Sequence, residues 1–290
     1  MDFCRQKDVI EVKEPFEQVS TRYYELSPWK KLHPSIVVGF STRFGGVSHA
    51  PFDSLNLGLH VGDKKEDVIK NRERLADELT IPLNHWIVAE QIHGGEIESV
   101  SEKDKGAGAR ELDSAIQGKD GIYTHETGLL LGSLYADCVP LYFYAPDHSL
   151  IGLAHAGWKG TVADIGGTVI RTWYKQEKVN PESVRVAIGP SISQAAYEVD
   201  ERVIEEVEKV WSSSLGEQPY LKNERGRYQL DLKTLNAQLL EAAGVRKEHI
   251  LVSSYCTASH ESFFSHRYEG GKTGRMMSFI GLVPRKGQSF

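Results

Sequence analysis

Three side chains have the types and settings that chemistry needs: His93, Cys138 and His155. His155 sits in Ala154-His155-Ala156-Gly157-Trp158-Lys159-Gly160-Thr161, where the apolar run Leu150–Ala154 hands over to a helical pattern. His93 follows the apolar run Trp86–Ala89 in Glu90-Gln91-Ile92-His93-Gly94-Gly95, and Cys138 follows Leu129–Tyr135 in Ala136-Asp137-Cys138-Val139-Pro140. Each is expected at a strand end among small or turn-forming neighbours, where rigid scaffolds often hold functional groups. Two imidazoles and a thiolate are donors that zinc accepts, and three protein ligands leave a fourth position for water or substrate. An ion held that way lowers the pKa of its water to about 7.

The spacing of the three is long and irregular, and no short motif supports the reading. A buried structural cysteine and two unrelated loop histidines, with His155 packed on Trp158, account for the same residues. A different chemistry is also open: Cys138 as a nucleophile with His155 as its base, oriented by Asp137 or another acceptor, as in a cysteine hydrolase or amidase. A third class is a metal-binding or division-associated protein without catalysis.

Sharper signatures are absent. There is no C-x-x-C pair, no H-E-x-x-H and no H-x-E…P-C-x-x-C, which excludes a zinc ribbon, the common zinc-protease helix and the nucleobase-deaminase motif. No G-x-G-x-x-G follows a strand, and Gly271-Lys272-Thr273 lacks the earlier P-loop glycine, a position held by His266. The eleven histidines form no H-x-H pair, so a copper-dependent polyphenol oxidase of the laccase type is hard to build.

The elements that must position these groups read as strands alternating with a few helices. Strands are expected at Ile36–Phe40, Trp86–Ala89, Leu129–Tyr135, Leu141–Tyr144, Leu150–Ala154, Val184–Ile188, Ile250–Val252, Phe263–Arg267 and Met276–Val283. Pairing should break at Pro140, which has no N–H. A surface helix should follow Asp63, capped by it with Glu66 completing a capping box, and carries no assigned chemistry. A second apolar helical face runs through Val162, Ile165, Val169, Ile170 and Trp173. Gly166 and Gly167 inside it each cost about 1 kcal/mol, a cost that makes sense if another element packs close. Residues 198–211 and 231–243 read as helices started by Asp200 and Asp231. Residues 212–227 read as a loop, 101–118 as an exposed loop that could cover a site, and Asp120-Gly121 as a turn. Residues 1–35 form an N-terminal extension or edge hairpin, and 36–290 a single catalytic domain with mixed β-sheets flanked by helices, of the α/β (α+β) class.

The 290 residues carry a formal charge of −6, 40% hydrophobic and 26% charged residues, which fits a globular enzyme and argues against a nucleic-acid binder. Three cysteines, Cys4, Cys138 and Cys256, do not make a disulfide framework, so a reducing, cytoplasmic setting is expected. Cys4 looks incidental and Cys256 structural. Met1–Glu17 is charged and no apolar run of about 18 residues occurs, so neither a signal peptide nor a membrane span is expected.

Gln91-Ile92-His93-Gly94, Ala136-Asp137-Cys138, His155-Ala156-Gly157-Trp158 and Phe264-Ser265-His266-Arg267…Thr273-Gly274-Arg275 together resemble the YfiH/YlmD family, long called laccase-domain or polyphenol oxidase proteins. Ser41-Thr42-Arg43…Gly45-Gly46-Val47-Ser48 and Ser54-Leu55-Asn56-Leu57-Gly58 match it too, so the resemblance runs from about residue 36 through the tail. It implies a layered α/β fold, CNF/YfiH-like, related to the catalytic domain of a deamidating toxin. It implies purine nucleoside phosphorylase activity with adenosine deaminase and methylthioadenosine phosphorylase activities, acting on purine nucleosides and phosphate. The family's zinc ligands fall on His93, Cys138 and His155, with copper the less favoured metal. On that reading Arg43 is the first candidate for phosphate or substrate contact, followed by Lys159 and Arg267, and Asn56 could bond the ribose or base.

Overall fold

The computed structural model describes residues 14–283. In chain order its strands are β1 (Phe16–Gln18), β2 (Tyr23–Leu26), β3 (Ile36–Ser41), β4 (Trp86–Val88), β5 (Ile97–Ser99), β6 (Gly121–Thr124), β7 (Leu130–Tyr135), β8 (Val139–Ala145), β9 (Leu150–Ala156), β10 (Arg185–Ile188), β11 (Glu198–Val199), β12 (Tyr220–Lys222), β13 (Tyr228–Leu230), β14 (Ile250–Val252) and β15 (Met276–Leu282). The helices are α1 (Ser27–Leu32), α2 (Lys65–Leu79), α3 (Trp158–Val162), α4 (Ile165–Gln176), α5 (Glu201–Val210) and α6 (Leu232–Ala242). Two mixed six-stranded sheets run β1-β2-β3-β15-β7-β4 and β14-β10-β8-β9-β6-β5, and β11-β13-β12 form a small third sheet.

Strands buried on both faces read as continuous apolar runs, and here the period-2 alternation sorts them into three cores. In β8, Tyr142 and Tyr144 point into the seam between the large sheets, while Val139, Leu141 and Phe143 point toward α4 and α6. In β15, Met276 and Ile280 face the same seam, and Met277 and Phe279 face Leu75 and Leu79 of α2. The layers are therefore helix, sheet, sheet, helix. His155 shares its parity in β9 with Ile151 and Leu153, which lie in the seam, so its ring is delivered between the sheets. Among the described residues no helix is long and apolar enough to cross a membrane.

The expected strands appear, with one exception. Phe263–Arg267 is irregular, with partners other than a neighbouring strand for its N–H groups: Glu269 accepts from Ser265 N at 2.9 Å and Asp137 from Arg267 N at 2.7 Å. Pairing does not break at Pro140, which sits inside β8 opposite His155. Asp63 does not cap α2. Its carboxylate is taken by Ser48 Oγ at 2.6 Å and Asn56 Nδ2 at 2.9 Å, and the helix starts after Lys64 without a side-chain cap. The helical run after Trp158 is broken at Asp164, whose left-handed backbone (φ 52°) lets its carboxylate cap α4. Gly166 then falls in the first turn of α4, where a Cβ would meet Leu240 of α6 at 3.2 Å, the close packing its cost suggests. Residues 16–26 form a hairpin whose second strand pairs with β3. The segment 212–227 contains β12, and Cys4 lies outside the described residues.

Two tyrosines tie the sheets across the seam: Tyr142 Oη donates to Gly39 O at 2.8 Å and Tyr135 Oη to Ala154 O at 3.3 Å. Replacing Tyr142 by Phe should cost about 1–2 kcal/mol and lower the melting temperature by a few degrees, leaving metal stoichiometry unchanged in the same preparation.

Candidate active site and metal centre

The trio is assembled from three elements. His155 is the penultimate residue of β9, Cys138 lies in the crossover from β7 in one sheet to β8 in the other, and His93 stands in the loop beyond β4. His155 is buried, Cys138 half-buried and His93 exposed, so the group opens in one direction. One donor atom from each lies within 4.8 Å of the others. Tetrahedral zinc bonds of about 2.0–2.3 Å set donors roughly 3.3–3.8 Å apart, so small side-chain adjustments bring these three onto one ion. The imidazoles cross edge to face with centroids 4.7 Å apart, and Tyr135 packs on His155 at 5.4 Å. A Cβ at Gly157 would stand 3.0 Å from Cys138 Sγ and 3.2 Å from His93, so a larger residue there would have to push the group aside.

Asp120 organises the site. Its Oδ1 accepts from His155 Nδ1 at 2.8 Å, which leaves Nε2 free to face the other two donors. The same carboxylate accepts from the backbone N–H groups of Ile92, His93 and Gly94 at 3.2, 3.0 and 2.7 Å. Those bonds hold His93 at φ 62°, a left-handed conformation unusual for a side-chain-bearing residue. Asp137, also left-handed at φ 89°, aims Cys138 in the same way. Its carboxylate accepts from Thr257 Oγ1 at 2.7 Å and Arg267 N at 2.7 Å. Asp120 thus takes the orienting role assigned to Asp137 in the cysteine-hydrolase reading.

Burial opposes ionisation of Cys138, but the neighbouring His155 charge and hydrogen bonds from His155 and His93 bring its pKa down to about 6. Burial likewise disfavours charge on His155, yet the Cys138 thiolate and Asp120 raise it to about 9. Between those values the metal-free pair is thiolate and imidazolium.

The trio lies in the wall of a cavity of about 560 Å³. Of the four expected substrate contacts, only Arg267 lines it. Arg43 is spent on Glu269 at 2.9 Å, with its guanidinium over the Phe264 ring at 4.5 Å. Asn56 is fully buried, donating to Gly58 O and Asp63 and accepting from Gly58 N and Arg275 N. Lys159 is exposed above the Trp158 ring. The cations that do line the cavity include Arg72 and Arg275, and residues 108–115 supply another part of the wall. That segment is not a free loop. Gly106 N bonds to Trp86 O, Val88 N to Ala107 O, and Arg72 to Gly108 O and Ala109 O. Arg72 carried no signal in the sequence beyond being an arginine among the apolar positions of a helix. Asp120 was legible only as half of an Asp-Gly turn.

This layering, with a His–Cys–His group where the seam opens into a cavity, defines an α/β enzyme domain with one candidate metal centre among the described residues. The chain belongs to the family described as multi-copper polyphenol oxidoreductase laccase, which it matches over residues 37–283. It is 45% identical over 272 residues to the purine nucleoside phosphorylase YlmD of Bacillus subtilis, covering 92% of this chain and 97% of that protein. It is 47% identical over 246 residues to the purine nucleoside phosphorylase YlmD of Geobacillus stearothermophilus, covering 84% and 89%. The crystal structure of the Geobacillus protein superposes with a TM-score of 0.90 over 93% of this chain and all of that one, at 43% identity. A Bacillus licheniformis protein, YfiH, superposes with a TM-score of 0.88 over 92% and 99%, at 42% identity.

Two outcomes follow. Asp120→Asn should weaken metal binding about 10–100-fold, read by chelator competition and by the visible spectrum of the cobalt-substituted protein, while the circular dichroism spectrum is kept. At pH 7.5, between the two pKa values, loading the metal-free protein should release about one proton, supplied by His155 because Cys138 is already a thiolate. Calorimetry in buffers of different ionisation enthalpy measures that number.

Proposed function

We infer that this chain is a zinc-dependent purine nucleoside phosphorylase that also deaminates adenosine and cleaves methylthioadenosine. The observation that carries the reading is the His93–Cys138–His155 group opening into a cavity large enough for a nucleoside, in a chain whose full-length relatives are named purine nucleoside phosphorylases. Small-ligand sites are about 300–1,000 Å³, so 560 Å³ fits.

The donor set suits one zinc ion with an open position. Two histidines and a cysteine also occur in copper electron-transfer sites, where a methionine supplies a long fourth bond. Met276 and Met277 are buried in β15 and do not line the cavity, which favours zinc. Zinc bound there would supply Lewis-acid stabilisation of a developing negative charge or an activated water.

The chain's own residues do the rest. Asp120 fixes the tautomer of His155 and the position of His93. Trp158 and Tyr197 offer aromatic faces in the cavity wall for a purine. In phosphorolysis a phosphate oxygen bonds to C1′, the C1′–N9 bond breaks with its electron pair going to the purine, and the hydrogenphosphate proton ends on the base. In deamination water adds at C6 of adenosine and ammonia leaves. A reducing cytoplasm suits the site, because Cys138 binds metal only as a thiolate.

A second reading has an observation of its own. The line Asp120–His155–Cys138 is an orienter, a base and a depressed-pKa thiol, the parts of a cysteine hydrolase. Metal separates the two. We expect one zinc per chain by elemental analysis and loss of nucleoside turnover on chelation, restored by zinc. Activity that survives chelation and is abolished by alkylating Cys138 would establish the hydrolase reading instead. A nucleoside panel with and without phosphate, read by product mass, should show free base and ribose-1-phosphate only with phosphate, and inosine from adenosine in either case. Zinc bound with no nucleoside turned over would leave a non-catalytic metal protein. An intense thiolate-to-copper visible band in the protein as purified would mean copper.

A further inference from the structure

Arg72 and Arg275 are cavity-wall charges that no carboxylate pairs directly. Arg72 is 1% exposed, and Arg275 is half-buried. Among the described residues neither guanidinium forms an ion pair with a carboxylate. Arg72 donates only to backbone carbonyls: Leu57 O through Nε and Nη2, and Gly108 O and Ala109 O through Nη1. Arg275 Nη1 donates to Thr273 O and Gly274 O, while its Nε and Nη2 have no partner among the described residues. Buried charges are normally paired, because desolvating an unpaired one is costly. Desolvation accordingly pulls both arginines below their ordinary pKa, Arg72 to about 9.

The two pack against the same short segment. Leu57 accepts from Arg72 through its carbonyl and donates to Arg275 O through its N–H at 3.0 Å. Three residues on, His60 also lines the cavity. Burial first, then the charges of Arg275 and Arg72, lower His60 to about 4, so it is a neutral donor or acceptor at physiological pH. The same electrostatics reach the metal trio: Arg275 acts on Cys138 and Asp137, and His60 feels His93 and His155. Two guanidiniums and a neutral imidazole therefore stand in the wall of the cavity that holds the trio.

We propose that Arg72 and Arg275, with His60 beside them, form the subsite for inorganic phosphate, the co-substrate of the phosphorylase reading on which this inference rests. A tetrahedral oxyanion placed there takes the open Nε and Nη2 donors of Arg275 in the forked geometry that guanidinium offers phosphate. It also supplies the negative charge that Arg72 lacks. Arg43 and Lys159, cations outside the cavity wall, have no part in it. The 5′-phosphate of a nucleotide has the same chemistry, so the test compares the two sources.

The experiment uses the full, metal-loaded chain. Inorganic phosphate and adenosine 5′-monophosphate are each titrated calorimetrically into wild type, R275Q and R275K, and the KM values for phosphate and nucleoside are measured in parallel. We expect R275Q to raise the phosphate KM about 10–100-fold, the loss of charge-assisted hydrogen bonds. R275K should recover part of it, and metal content and nucleoside KM should stay near wild type. Tungstate soaked into wild-type crystals should give an anomalous peak between Arg72 and Arg275, a readout independent of any variant's folding. A peak at Arg267 or Lys159 instead, an unchanged phosphate KM in R275Q, or Arg275-dependent binding of the nucleotide but not of orthophosphate would overturn the proposal. Wild type that binds phosphate through Arg275 yet cleaves no nucleoside would keep the subsite and sink the phosphorylase reading. Phosphate-dependent cleavage indifferent to Arg275 would do the reverse.

Discussion

One carboxylate holds the centre of this molecule together. Asp120 lies just before β6, a strand paired with β9, and its oxygens reach both the ring of His155 and the backbone of the loop carrying His93. Without it, the two histidines belong to separate elements with nothing to fix their distance. A buried carboxylate accepting three backbone N–H groups and an imidazole is fully satisfied, so it is stable where it sits. Its geometry is also inflexible, which a metal site demands.

The double-sheet seam explains why the centre is where it is. β7 and β15 of one sheet and β8 and β9 of the other bury alternate residues against each other. The Asp137–Cys138 crossover must pass from one sheet to the other at the seam's end. The thiol arrives there because β8 begins at the next residue. Helices on the outer faces close the layers, and α2 reaches the cavity from outside the seam. Its Arg72 passes beneath residues 108–109 to reach the cavity. The chain is acidic, −6 overall, yet three arginines, Arg72, Arg267 and Arg275, line its cavity.

The sequence alone determined the donor set and most of the scaffold. The chemistry of histidine and cysteine, and the apolar periodicity of strands such as β7, β9 and β15, are carried by neighbours in the chain and survive without tertiary context. The starts of α5 and α6 at Asp200 and Asp231 were legible for the same reason, since an N-cap bonds within its own turn. Where a local signal competed with a distant partner, the partner won. Asp63 left its helix for Ser48 and Asn56, and the N–H groups of Ser265 and Arg267 went to acidic side chains rather than to a strand.

What only the tertiary structure decided is which polar groups face the cavity. Arg43 and Arg275 look equally available in sequence, yet Arg43 meets Glu269 and a phenyl ring, whereas Arg275 meets only carbonyls. Asn56, read as a substrate contact, instead binds the backbone of Arg275, 219 positions away. The partner of a charged or amide group is set by whatever packs against it across the fold, and no local spacing encodes that. The donors of the centre could be read one by one. The meeting of the two histidines at Asp120, and the unpaired arginines beside them, exist only once the layers close.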